Sequence, residues 1–522
     1  MYLVYRTLTF LIFTGIQLYN PCGNLIIRSM KYILNSYYVL RHDKKRTFIL
    51  GGENGRMSNG ISVDNDWKSM IHPAYAMMLS FFSTPIELDK AVTAISNFFS
   101  FPEEQIEKFL TTMIHAKECW HTTLAGVDSG FPKSLIIPEQ PQLNKSIRYR
   151  PEDFRFKELD FESRRMLTAP LSIVWMPNNN CYTSCEYCYA DRKHHNSMFS
   201  LEKIEAFVQD SVKSGVVEIL ITGGDFFENR HWKGILNVLK QYGYNVDMIS
   251  TKKPLSRDEL VAFKEYGIRL QVSFDTASDA VAKELLHVQS GYVARIKETL
   301  QQINELGIDC QIATVLTNMN DSIESLSELY SFLSTLNNLK HWEIRVGFRS
   351  LYSRTDFDKI KSSRKQISRV ADWIEETKKN SPIKILWSPD DDDKYKKAKG
   401  GSKNFEGPIC SANMTNMIVL PDGNVTICEQ LYWNPEFIIG NVFSESICDI
   451  WNSDKAVRLW KRQQDSITHK SPCRKCKDFK DCFDNGNRCF ANIIKAYGME
   501  NSDYPDPRCY LAPDFNNNIT HE

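Results

Sequence analysis

Apolar and polar positions change their spacing three times along the chain. Tyr32–Leu40 and Arg46–Leu50 are apolar-rich runs around the charged stretch Arg41–Lys45, which predicts a β-hairpin, and Gly51–Gly60 reads as a polar loop. From residue 72 the spacing turns helical. Pro73 opens a helix to Phe82; Ala91, Ile95, Phe98 and Phe99 mark a second; Ile106, Phe109, Leu110 and Met113, after Pro102, mark a third. Thr122–Leu124 and Leu135–Ile137 suit two short strands flanking Gly126–Gly130. Helices followed by a small hairpin predict a winged-helix-like α+β domain over residues 30–140, fitted to bind DNA or a peptide, or to cap the next domain.

From residue 170 short apolar runs alternate with helical stretches. The runs are Leu171–Met176, Val216–Thr222, Asn245–Ser250, Ile268–Phe274, Cys310–Leu316 and Trp342–Val346. The helices fall near 200–214, 231–241, 256–266, 291–306, 322–336 and 362–378. This alternation predicts parallel strands with crossover helices over residues 165–385, as a partial (β/α)6 TIM-type barrel or an open sheet, with reactive groups at the carboxyl ends of strands. The charged, Gly-containing stretch 386–408 reads as a linker. Residues 409–515 are cysteine-rich with few periodic segments and suit a small domain folded around metal.

Composition narrows the partners. Lys plus Arg equals Asp plus Glu, 64 each among 522 residues, so no charge footprint points to nucleic acid or an anionic membrane. Leu8–Ile16 is about half a membrane span, and residues 1–29 read as a tail or an unused start region before Met30. The 14 cysteines cluster in a long chain, which suits metal or cluster ligands in a reducing, cytoplasmic setting better than a disulfide scaffold. Cys22, Cys119, Cys310 and Cys448 stand apart and read as structural.

Directly after the first strand of the alternating region comes Cys181-Tyr182-Thr183-Ser184-Cys185-Glu186-Tyr187-Cys188. Three thiolates on one tight loop can hold three irons of a cubane, leaving the fourth iron for a small chelator such as the amino and carboxylate groups of methionine. The loop resembles the signature of the radical S-adenosylmethionine superfamily, including the aromatic Tyr187. Thr222-Gly223-Gly224-Asp225 resembles that superfamily's Gly-Gly-Glu strand end, with aspartate for glutamate. Gln271-Val272-Ser273-Phe274-Asp275 resembles its ribose-contacting strand, and Thr317-Asn318-Met319-Asn320 a further cofactor-contacting strand end. The resemblance implies a 4Fe–4S cluster on Cys181, Cys185 and Cys188. It implies S-adenosylmethionine held near Tyr187, Gly223, Gly224, Asp225, Ser273, Asp275 and Asn320. Relatives carry an arginine after the ribose strand, and His287 is its nearest match here. A zinc site completed by His194 or His195 is the competing reading.

The order Cys410, Gly423, Cys428, Cys473, Cys476, Cys482, Cys489, Cys509 resembles the SPASM extension of these enzymes, with Pro421–Asn424 predicting a hairpin turn. By that resemblance Cys410, Cys428 and Cys489 hold one auxiliary 4Fe–4S cluster, and Cys473, Cys476, Cys482 and Cys509 hold another. A zinc ribbon on Cys473, Cys476, Cys482 and Cys489 is the alternative. The family implies a radical enzyme acting on a peptide or protein, with a flavodoxin or ferredoxin as electron donor and no catalytic residue assigned beyond the cluster. The layout of residues 30–140 resembles the peptide-recognition elements of ribosomal-peptide maturases, which favours a precursor peptide bound through its leader. A sulfatase-type maturase forming formylglycine, and a non-catalytic cluster- or zinc-stabilised binding protein, are the other classes.

Overall fold

A computed structural model describes residues 30–52, 58–140, 147–191, 199–352, 357–389, 410–484 and 488–515. Residues 1–29, His194, His195 and most of the expected linker lie outside them. The chain divides into two compact units, Met1–Ala169 and Pro170–Glu522.

In the first unit, β1 (Lys31–Leu34) ends where Asn35 turns the chain, its Oδ1 accepting from Tyr37 N at 3.0 Å. The expected hairpin is therefore shorter: β2 (Tyr38–His42) pairs with β3 (Thr47–Gly51), and β4 (Lys68–Ile71), beyond the expected loop, adds to β3. Pro73 begins α1 (Pro73–Ser80), which His72 caps by accepting from Ala74 N at 3.1 Å. After β5 (Ile86–Glu87), helices α2 (Leu88–Phe99) and α3 (Glu103–His115) bury Ala91, Ile95, Ile106, Phe109, Leu110 and Met113 on one face each. The wing departs from expectation. β6 (Trp120–Leu124) pairs with β7 (Val127–Phe131), and β8 (Ile136–Pro138) pairs with β1 instead. Ala125 and Gly126 take φ of 51° and 79°, a two-residue hairpin turn. Gly130 is thus a strand residue. Tyr75, Phe109, Trp120 and Phe131 pack ring against ring in the core.

The second unit is built on parallel strands: β9 (Ser172–Trp175), β10 (Glu218–Ile221), β11 (Met248–Thr251), β12 (Arg269–Ser273), β13 (Cys310–Leu316), β14 (Leu339–Val346) and β15 (Ile385–Ser388). They form two parallel ladders, β10-β9 and β11-β12-β13-β14-β15. Six match the expected strands. β15 was not anticipated. The crossovers are α4 (Leu201–Lys213), α5 (Trp232–Gln241), α6 (Arg257–Lys264), α7 (Asp279–Leu286), α8 (Tyr292–Leu306), α9 (Ile323–Leu333) and α10 (Arg364–Lys378). Five of them start on a serine whose side chain accepts a first-turn N–H: Ser200, Ser256, Ser278, Ser322 and Ser363. Each such cap contributes about 1 kcal/mol and fixes where a strand-end loop gives way to helix. The result is a partial-barrel α/β fold. Its first strand also takes a partner from the cysteine-rich region: β16 (Asn416–Val419) pairs parallel with β9, and β17 (Asn424–Thr426) and β18 (Ile438–Asn441) extend the sheet. The rest is short helices, α11 (Ile447–Trp451), α12 (Asp454–Trp460), α13 (Phe479–Asp484) and α14 (Phe490–Tyr497). No helix among the described residues is long and apolar enough to cross a membrane.

Candidate active site

The loop carrying Cys181, Cys185 and Cys188 leaves the carboxyl end of β9 and is fastened at both ends. At its start, Gly224 N donates to Asn178 O at 3.0 Å and Asp225 N to Asn180 O at 2.7 Å. At its middle, Ser184 N and Glu186 N donate to the last carbonyls of α7, Leu286 and Leu285, at 2.9 Å each. The glycines are required by the loop itself. Gly223 has φ +108°, and a Cβ there would lie 2.8 Å from Asn178 O; one on Gly224 would run into Asn180 O and lie 2.8 Å from Asn179 C. Only glycine lets β10 run this close to the cysteine loop.

A buried polar network lies against the loop. Tyr187 donates its hydroxyl hydrogen to Asp275 Oδ2 at 2.6 Å, and Lys252 Nζ donates to Asp275 Oδ2 at 2.7 Å and to Tyr187 Oη at 2.6 Å. Asp275 Oδ1 accepts from Val315 N at 2.8 Å. Burial raises the Tyr187 hydroxyl, and Asp275 and Cys185 push it further. Burial opposes the charge on Lys252, yet Asp275 and the Cys185 thiol outweigh it and hold the ammonium protonated. Burial also raises the Cys185 thiol, with Lys252 pulling against it. Thr183 Oγ1 lies 3.2 Å from Cys185 Sγ.

The other expected contact residues converge on the same strand ends. Asp225 turns its carboxylate towards β11, accepting from Thr251 Oγ1 at 2.8 Å, Lys252 N at 2.8 Å and Lys253 N at 2.9 Å. It thereby ties together the ends of β10 and β11, between which no ladder runs. Asn320 caps its own turn, Oδ1 accepting from Thr317 N and Nδ2 donating to Asp275 O, both at 2.8 Å. Ser273 ends β12, half-buried. His287 does not face this network: its ring bonds Glu186, and it is half exposed.

The second cysteine set falls into two neighbouring cavities. Cys410, Cys428 and Cys489 line one, with Ile427, Leu459 and Phe490; Cys473, Cys476 and Cys509 line the other, with Asp478, Asp506 and Tyr510. Cys482 and the buried Arg488 line both. Burial pushes the thiols up, Cys482 to about 12 and Cys489 and Cys509 to about 11. Buried thiols of this kind become thiolates when a metal takes the place of the proton. No disulfide links the cysteines among the described residues. No three His, Cys, Asp or Glu side chains among them sit close enough for a single ion. Soft thiolates gathered in threes and fours are a donor set that iron–sulfur clusters take, so the cysteines lining the two cavities fit them. Two isolated cysteines differ from expectation: Cys119 is exposed and Cys448 half-buried, whereas Cys310 is buried in β13.

This is the architecture of a radical S-adenosylmethionine enzyme with an auxiliary-cluster domain. Residues 175–333 match the Radical SAM superfamily model and residues 410–477 the SPASM iron-sulfur cluster-binding domain model. The chain carries both domains: its radical SAM domain binds a 4Fe–4S cluster and S-adenosylmethionine, and its SPASM domain binds auxiliary iron–sulfur clusters. Among curated proteins it is similar to the antilisterial bacteriocin subtilosin biosynthesis protein AlbA of Bacillus subtilis, at 21% identity over 59% of this chain and 65% of AlbA. It is also similar to the sporulation killing factor maturation protein SkfB of Bacillus subtilis, at 20% identity over 56% of this chain and 67% of SkfB. Those matches thus span about two thirds of the relatives' length. Its fold is that of Streptococcus suis SuiB, seen bound to the precursor peptide SuiA, with a TM-score of 0.61 and 15% identity over 91% of this chain and 98% of SuiB.

Sequence reasoning placed the cysteines and the glycines but missed Lys252. Its signal was present: Thr251-Lys252-Lys253 ends the third strand of the alternating region, where such a fold puts its chemistry. It also missed Arg488, whose position directly before Cys489 was visible in the sequence.

Proposed function

We propose that this enzyme matures a ribosomally made precursor peptide, holding the leader in its first unit while the barrel modifies a residue of the core. The observation that carries this reading is the extent of the likeness to SuiB: coverage of 91% of the chain reaches well beyond Pro170–Glu522 into the first unit, which neither family model touches. AlbA and SkfB, named for peptide biosynthesis and maturation, support it. A tethered leader raises the effective concentration of the core at the barrel mouth, and a free edge of the first unit's sheets would accept it as an added strand.

In this reading Cys181, Cys185 and Cys188 ligate the catalytic cluster, Cys410, Cys428 and Cys489 one auxiliary cluster, and Cys473, Cys476, Cys482 and Cys509 the other. When bound, the reduced catalytic cluster and S-adenosylmethionine supply a 5′-deoxyadenosyl radical that removes a hydrogen atom from the peptide. Gly223, Gly224 and Asp225 present backbone to the cofactor, Ser273 a hydroxyl, and Tyr187 the base of the loop. Asp225, Asp275 and Asn320 use their side chains to hold the strand ends in place. The auxiliary sites offer a route for the electron released when a new bond closes, with flavodoxin or ferredoxin as external donor in a reducing cytoplasm. The test is anaerobic incubation of the reconstituted chain with peptides made from the short reading frames that flank its gene, read by mass spectrometry. A mass loss matching a crosslink, abolished by removing the leader, is expected. An unmodified peptide, or an aldehyde formed on a sulfatase segment instead, would sink the reading.

A further inference from the structure

Bound S-adenosylmethionine brings a carboxylate into a site that already holds three cysteine sulfurs and the fully buried carboxylate of Asp275. Such a site needs a cation aimed at the methionine end of the ligand. Lys252 stands at the end of β11, between the Gly223–Asp225 end of β10 and Ser273 at the end of β12. Its backbone is fixed on both sides: its N–H donates to Asp225 Oδ2 at 2.8 Å, and its carbonyl accepts from the Tyr292 hydroxyl at 2.9 Å. Its ammonium has three donors. Two go to Tyr187 Oη and Asp275 Oδ2 at 2.6 and 2.7 Å, and the side chain, 18% exposed, keeps an open side. His287, where the family resemblance would put a cation, is turned to Glu186 and half exposed.

We propose that Lys252 is the residue that pairs with the methionine carboxylate of S-adenosylmethionine in this enzyme. Asp275 and Tyr187 then serve to position the ammonium, and Asp225 serves to place the strand end that carries it. The inference rests on the assignment of the Cys181–Cys188 loop as the S-adenosylmethionine site and is independent of which peptide is modified.

The test measures equilibrium binding to the full, reconstituted chain of S-adenosylmethionine and of its decarboxylated analogue. Wild type should favour the intact ligand. Lys252→Met should keep its iron content, lose about tenfold or more in affinity for S-adenosylmethionine, as expected for a charge-assisted bond, and bind the decarboxylated analogue as wild type does. Lys252→Arg should regain most of the preference, and His287→Ala should leave it unchanged. Lys252→Gln, which keeps a hydrogen bond towards Asp275 or Tyr187 without the charge, guards against collapse of the network in the Met variant. Equal losses for both ligands, no loss, a preference abolished by His287→Ala, or loss of the cluster in both neutral variants would overturn the proposal. Wild type that binds neither ligand would instead overturn the site assignment beneath it.

Discussion

Cys181, Cys185 and Cys188 sit on a loop pinned to β10 on one side and to the end of α7 on the other. Cys473, Cys476, Cys482 and Cys509 sit in short turns and helices, Pro472–Lys475 and α13 among them. The first site is an attachment to a scaffold that has its own core: Trp175, Ile219, Leu270, Ile312 and Ile344 are all buried in its strands. In the second, the thiols themselves line the cavities that the surrounding chain encloses. The lesson concerns what metal does in each place. In the barrel it would be added to strands that have their own core, and around Cys473, Cys476, Cys482 and Cys509, set in short turns and helices, its binding energy would be part of the folding energy.

The largest test of that difference is removal of the metal. Stripping iron from the reconstituted protein under anaerobic conditions should leave amide exchange in β11–β14 nearly unchanged, whereas residues 447–515 should lose most of their protection. Structural metal sites contribute about 10 kcal/mol or more to small domains, enough to decide folding there. Equal protection of both regions without iron would erase the contrast.

A mutation sharpens it next. Gly224→Ala drives a methyl group into the backbone of Asn179 and Asn180, and the loop has no room to give because Asp225 N and Gly224 N are bonded to it. Overpacking of this kind costs about 3 kcal/mol. Iron per chain should fall by one cluster's worth, with the auxiliary iron retained and S-adenosylmethionine cleavage abolished. Loss of all iron together would mean that the two regions fold as one.

Six strands and six helices of the barrel were legible because each is a local pattern, an apolar run followed by a helical face, whereas β15 and α7 were not read. The cysteine spacing was legible for the same reason. Contacts between distant segments were not. Nothing near Asn416 announces that it pairs with Ser172 of β9, 244 residues earlier in the chain, and nothing near Asp225 announces that its carboxylate would hold Lys252 and Lys253. The wing was misread at its turn, so that Val127–Phe131, a strand, was expected as a loop. A two-residue hairpin turn advertises itself through Asn-Gly or Asp-Gly, and here Ala125 takes the left-handed conformation without any such mark. The role of Gly223 and Gly224 was legible only in part. Their presence pointed to a close approach, but the atoms that approach are those of the cysteine loop.

The smallest effect comes from the first unit, which supplies an iron-independent reference. His72 is buried and caps α1 through Nδ1, accepting from Ala74 N, so its ring must be neutral in the fold. Burial pushes its pKa down to about 4, whereas the unfolded chain protonates near 6.5. The unfolded state therefore takes up the proton first as the pH falls, and the stability of the unit is complete above about pH 6.5 and declines from there towards 4. At about pH 5.5 the loss is about 1.4 kcal/mol relative to neutral pH. His72→Asn keeps a capping oxygen and removes the titration, so its unfolding free energy should vary less between about pH 7.5 and 5.5 than that of wild type, by that amount. Amide exchange of α1–α3, followed on the intact chain with and without iron, reads the first unit separately from the second. If the pH response of the first unit instead follows the iron content of the second, then the first unit and the clusters share one folding equilibrium, and the distinction between a scaffolded and a metal-folded region has to be redrawn to include the first unit as well.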